Sequence, residues 1–137
     1  MRVFFLIPLV AVVSVTVGAQ ELCPQKINTT QSLAEEIDKY EVMLDDVNNS
    51  LSQVEFFYGH SSEMSSLMPN ENVSKSNEQV MIWNFEEAKN IYVRCWYTNT
   101  RVWLIKKADI YHRCTVIYDL TRQFSGGSYV LKNIICK

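Results

Sequence analysis

Two histidines, three prolines and four glycines are all this 137-residue chain holds of the residues that most often mark chemistry or loops. With only His60 and His112 present, a hydrolytic triad or a histidine-based metal centre has few ways to form. The glycines give no phosphate-cradling loop and no G-x-S-x-G turn, and zinc and calcium spacings are absent as well. A basic excess is also missing. Thirteen Lys and Arg face fifteen Asp and Glu, a formal net charge of −2, whereas a nucleic-acid-binding domain carries clustered positive charge. Beyond the first nineteen residues there is no apolar run long enough to cross a bilayer. Nucleic-acid binding, cofactor chemistry and a transmembrane mature chain are therefore set aside.

The one long apolar stretch stands at the start. "MRVFFLIPLVAVVSVTVGA" has a positive charge at Arg2, a continuous apolar run from Val3 to Val13 and small residues at its end. Val17 and Ala19 occupy the −3 and −1 positions of a cleavage site, as in a secretory signal peptide. Cys23 lies too far beyond this site to be a lipoprotein cysteine. Cleavage after Ala19 leaves residues 20–137 as a single domain exported to the periplasm.

All four cysteines, Cys23, Cys95, Cys114 and Cys136, lie in that mature part. An even number in an exported chain points to two disulfides, and the spacings of 72, 19 and 22 residues hold no C-x-x-C pair for a metal. Three connectivities are open. Cys23–Cys95 with Cys114–Cys136 is preferred, since the second bridge would staple neighbouring strands.

Charge is unevenly placed. Residues 20–90 carry thirteen acids and four bases, and residues 91–137 carry two acids and eight bases. The halves either neutralise each other across the fold or present a charged face to a partner of opposite sign.

From Val80 onward the pattern is that of strands. "VMIWNF", "NIYVRCWY", "RVWLIKK", "RCTVIYDL" and "SYVLKNIIC" are rich in Val, Ile, Tyr and Trp, and polar or glycine breaks separate them. "TNT" and "SGG" read as hairpin loops, "QVEFFYG" as an upstream strand, and Ser74 to Gln79 as a loop. Residues 31–48 are ambiguous. Leu33, Ile37, Tyr40, Leu44, Val47 and Leu51 follow helical spacing behind a Ser32/Glu35 capping box, yet Tyr40 to Asp45 partly alternates as a strand does. The expected fold is mostly β: one antiparallel sheet or curled barrel of six to eight strands, stapled by disulfides, with a helical turn near residues 62–67. Trp83, Val93, Leu104, Ile117 and Ile134 are the expected core.

"FFYGHSSEMSSLMPN" places His60 beside Ser61 and Ser62, but adjacency does not supply the geometry of a Ser-His hydrolase. A loop carrying a helix cap is the simpler reading. The paired acids Glu35-Glu36 and Asp45-Asp46 point in different directions on any regular element and form solvated faces. Three N-x-S/T sequons, at Asn28, Asn48 and Asn72, matter only in a eukaryotic secretory pathway. The expectation is a protein that is not an enzyme and holds neither metal nor cofactor.

Two resemblances bear on function. "SGGSY", Ser125 to Tyr129, resembles the S-G-x-x-Y loop with which periplasmic and membrane-bound inhibitors of C-type lysozyme enter the enzyme's cleft. Their second motif, Y-x-x-x-T-K-G, is absent. More of the chain is covered by Cys23-Pro24, the Val54-to-Gly59 strand, the Leu67-to-Pro69 turn, Trp83, Cys95 to Tyr97 and Cys114 to Val116. This pattern is similar to a family of small exported proteobacterial proteins whose genes often lie at type VI secretion loci. The sequence departs from the family at His60-Ser61-Ser62, where Pro-rich residues are expected.

That resemblance implies a strand over residues 38–46. It also implies a non-catalytic periplasmic immunity protein whose partner is a peptidoglycan-targeting effector enzyme. The alternatives are a lysozyme inhibitor and a small-ligand or envelope-structural protein. Strand-end loops on a rigid scaffold suit the capture of an enzyme. The expected partner-binding residues are Arg101, Tyr129, His60 and Ser125.

Overall fold

In the computed structural model, residues 22–43, 48–60 and 65–137 are described. The expected leader over residues 1–19 and its expected cleavage site lie outside them. Among the described residues nine strands follow in order: β1 (Lys26–Asn28), β2 (Asn48–Tyr58), β3 (Ser65–Ser66), β4 (Glu71–Lys75), β5 (Glu78–Asn84), β6 (Ile91–Tyr97), β7 (Trp103–Lys107), β8 (Arg113–Gln123) and β9 (Tyr129–Cys136). They form two antiparallel sheets rather than one. The first has the order β1-β2-β6-β7, with β3 also on β2, and the second has the order β4-β5-β8-β9.

Side-chain alternation sets the inward face of each sheet. On β6, Ile91, Val93, Cys95 and Tyr97 point inward; on β8, Cys114, Val116 and Tyr118 do so. They join Val54 and Phe56 of β2, Trp83 of β5 and Leu131 of β9 in one buried cluster that both sheets share. Strand β2 keeps its apolar residues inward by a register shift between Leu51 and Gln53. The extra residue, Ser52, lets Asn49 and Leu51 on one side and Val54 and Phe56 on the other all be buried.

Both preferred disulfides form. Cys23–Cys95 ties the segment before β1 to the centre of β6, and Cys114–Cys136 joins directly opposed residues of β8 and β9 with Cα atoms 4.2 Å apart. The TNT and SGG loops turn as expected, with Asn99 (φ 59°) and Gly127 (φ 87°) in the left-handed region.

Several expectations need correction. Ser74 to Gln79 is not a loop: Lys75 ends β4, Glu78 begins β5, and only Ser76-Asn77 turns between them. Both turn residues have positive φ, as a tight hairpin requires. The stretch from Gln31 to Met43 is neither helix nor strand, so the strand implied over residues 38–46 is absent in its described part, residues 38–43. The physical reason is that Leu33, Ile37, Tyr40, Val42 and Met43 are exposed, with no surface to bury a helical stripe against. Of the helical turn near residues 62–67, residues 62–64 lie outside the described residues, and Ser65–Ser66 is a strand paired with β2. Among the core candidates, Trp83 and Val93 are buried, and Ile134 packs against the cluster. Ile117 points to the opposite side from Val116, and Leu104 is 36% exposed because β7 is an edge.

Candidate functional site

The outward face of the first sheet is unlike an ordinary solvated sheet face. Register places Gln53, Glu55 and Phe57 of β2 beside Trp96, Arg94 and Tyr92 of β6, and these beside Trp103, Ile105 and Lys107 of β7. Arg94 sits at the centre. Its guanidinium carbon lies 4.6 Å from the Phe57 ring centroid, 4.7 Å from that of Trp96 and 4.4 Å from that of Trp103. Its Nε and Nη2 both donate to Glu55 Oε2, at 2.9 and 2.6 Å, and the Trp96 indole N–H donates to the same oxygen at 2.7 Å.

Each part holds the others. The rings cover the guanidinium, the carboxylate accepts from its Nε and Nη2, and the indole bond fixes Trp96, whose ring lies 5.2 Å from Trp103. Arg94 is consequently buried, although it faces away from the main core. Trp103 and Ile105, each 37% exposed, form the open margin of this cluster, while Leu104, opposite Cys95, faces the other side of the sheet. Aromatic side chains held rigid beside an arginine match the composition of interface hot spots.

A second feature opens between the sheets. A recess of about 360 Å³ is lined by residues that include Glu55, Leu67, Met68, Pro69, Met81, Trp83, Tyr118 and Tyr129. The Trp83 indole N–H donates to Leu67 C=O at 2.9 Å and anchors the Leu67–Pro69 turn there. Burial pushes the Tyr118 phenol above its ordinary pKa, while its oxygen accepts the Val54 N–H at 3.4 Å. Among the described residues no group of three or more His, Cys, Asp or Glu side chains stands ready to hold a metal ion.

The four expected partner-binding residues do not converge. His60 is exposed at the Ile91 end of β6, with its ring edge-on to Tyr92 at 5.6 Å. Arg101 belongs to the hairpin at the other end of that strand and borders a surface recess shared with Thr29 to Ser32. Ser125 and Tyr129 belong to the β8–β9 hairpin of the second sheet, where Tyr129 reaches the recess between the sheets and Ser125 is exposed in the turn. Ser61 and Ser62 lie outside the described residues. The Arg94–Glu55 cluster escaped the sequence reading, although a signal was present: Tyr92, Arg94 and Trp96 alternate with the inward Ile91, Val93, Cys95 and Tyr97. Polar-aromatic residues on the outer phase of a central strand mark a second organised face.

Comparison with known families gives one finding. The model of the family described as "Type VI secretion system Tli immunity protein" matches residues 46–137. No curated protein and no solved structure matches the chain.

Proposed function

The chain belongs to the type VI secretion system Tli immunity protein family, and from that membership we propose that it protects the cell by binding an effector enzyme, without catalysis, through the outward face of its first sheet. The observation that carries the choice of surface is the Arg94 cluster. It presents Trp103 and Ile105 on a scaffold locked by an ion pair and three rings. Preorganised aromatic anchors lose little side-chain freedom on binding, which favours a tight complex.

The working compartment in this proposal is the periplasm, reached after removal of residues 1–19. The effector is a peptidoglycan-targeting enzyme, as the sequence resemblance implies. The test expresses the neighbouring effector gene with an export signal, alone and with this chain, and measures survival, binding and wall cleavage by the purified effector. Protection by the wild type, with at least a tenfold weaker complex for Trp103→Ala at unchanged melting temperature, supports the proposal. An effector that kills with this chain bound or absent alike overturns it. If the neutralised effector hydrolyses membrane lipid instead, the wall-directed part falls and the immunity function stands. C-type lysozyme is assayed alongside: slowed lysis that depends on Ser125 and Tyr129 would favour the lysozyme-inhibitor alternative.

A further inference from the structure

Strand β7 ends its sheet, pairing with β6 on one side and, among the described residues, with no strand on the other. The phase of its backbone can be read from its neighbours. Ala108 N–H donates to Ile91 C=O at 2.8 Å, so these two residues form a hydrogen-bonded pair. Antiparallel pairs alternate between hydrogen-bonded and non-hydrogen-bonded kinds. Tyr92–Lys107, Arg94–Ile105 and Trp96–Trp103 are then non-hydrogen-bonded pairs. The Gly59 N–H bond to Asn90 C=O, at 2.9 Å on the other side of β6, gives the same phase. The N–H and C=O groups of Trp103, Ile105 and Lys107 therefore face the open edge.

Open edges are usually blunted by charge or proline. Here Trp103-Leu104-Ile105 opens the strand, all three exposed, and charges stand only to either side of them, at Arg101 before the strand and at Lys106 and Lys107 in its last two positions. Between Lys89 and Asp109 the chain contains no acid. Lys107 pairs with Asp109 at 3.1 Å, whereas Arg101 and Lys106 have no ion-pair partner among the described residues. A second copy of this chain would set another Arg101, Lys106 and Lys107 against the same three cations. The complementary occupant is apolar at its centre and acidic at its ends.

We infer that β7 is a docking edge for an extended, acid-flanked segment of the effector, which joins the first sheet as an added strand. This rests on the immunity function and on the same sheet face, but assigns the contact to the backbone edge as well as to the rings.

The experiment exploits the phase of β7. Ile105→Pro deletes an N–H that points outward and leaves the β6 ladder intact, a position where an edge strand tolerates proline. Ile105→Ala removes the side chain and keeps the N–H. Against the purified effector encoded beside this chain, Ile105→Pro should bind at least thirtyfold more weakly than wild type, and Ile105→Ala no more than tenfold. Lys106→Glu should weaken binding severalfold at low salt and less at high salt. Because proline could disturb the fold, amide exchange is measured on the wild-type chain as well. The amides of Trp103, Ile105 and Lys107 should exchange quickly alone and become protected in the complex.

Equal binding by the proline and alanine variants, or no new protection at those amides, overturns the added strand. If Trp103→Ala still weakens the complex in that case, the sheet-face proposal survives without it. If neither Trp103→Ala nor Ile105→Pro weakens the complex, both surfaces are wrong.

Discussion

The two sheets give one face each to the same core and differ in what they do with the other. On the first sheet the outward residues build a second cluster, in which Arg94 is buried among Phe57, Trp96 and Trp103 and held by Glu55. On the second sheet the outward charges stay at the rim: Glu78 bonds Lys132, and Asp119 bonds Arg122, with the basic partner of each pair more than half exposed. A guanidinium covered by rings is shielded from salt and water, whereas the exposed cations of the rim pairs are open to both. The first sheet thus holds an ordered cluster outside the shared core, and that is the face proposed above for recognition.

Removing what the sheets share should have the largest effect. Phe56 is fully buried, with its ring centroid 5.1 Å from that of Trp83 and 5.3 Å from that of Phe85, so it couples β2 to the second sheet. Phe56→Ala should cost about 3–5 kcal/mol, read by urea or thermal unfolding. A loss below ~1 kcal/mol would mean that the sheets do not meet there.

The disulfides sharpen the comparison next. Cys23–Cys95 closes a sequence separation of 72 residues and Cys114–Cys136 one of 22. On the chain-entropy account, replacing the first pair by serine should cost about 4 kcal/mol and the second about 3 kcal/mol. The reverse order would show that the short bridge within the second sheet contributes more than loop closure.

Glu55→Ala should cost about 2 kcal/mol or more, because it removes the carboxylate that accepts from the buried Arg94 guanidinium and from the Trp96 indole. Combining Glu55→Gln with Arg94→Met removes both charges and should recover most of that loss. Recovery in stability without recovery of effector binding would separate the cluster's two roles. Such a split is the outcome expected if rigid rings and a cationic edge both matter.

How far the sequence reveals this design depends on which rule decides each element. Central strands β5, β6 and β8 are legible because Val, Ile, Tyr and Trp alternate between turn residues, and packing on both sheets agrees with that alternation. Strand β4, with the sequence ENVSK, is fully exposed and carries no apolar alternation, so only its pairing to β5 makes it a strand. The helical spacing of Leu33, Ile37 and Tyr40 misleads for the converse reason: a stripe needs a surface, and none meets it. Ile117 shows the limit of naming core residues by strand membership alone, since one step along β8 changes the face. The disulfide pairing follows once Cys114 and Cys136 are placed on neighbouring strands. For the Arg94 cluster the alternation of Tyr92, Arg94 and Trp96 marks only the central strand, and its partners Glu55 and Trp103 follow from register across three strands.

The smallest expected effect lies on the rim of the second sheet and concerns acid. Asp119 accepts hydrogen bonds from the Thr121 hydroxyl and N–H and from Arg122 Nε, and these hold its carboxyl well below the ordinary 3.8, at about 2. A carboxyl whose pKa is lower in the folded than in the unfolded chain binds protons more readily once unfolded. Its contribution is therefore fully present above the unfolded value near 3.8 and is lost as pH falls through about 2. Asp119→Asn should flatten the fall in melting temperature between about pH 4 and pH 2 and leave the neutral-pH value nearly unchanged in high salt. Wild type and variant with the same acid profile would show that these rim bonds do not persist in solution. If Asp119→Asn instead lowers the melting temperature by many degrees at neutral pH and high salt, the rim pair is as protected as the Arg94 cluster, and the contrast between the sheets collapses.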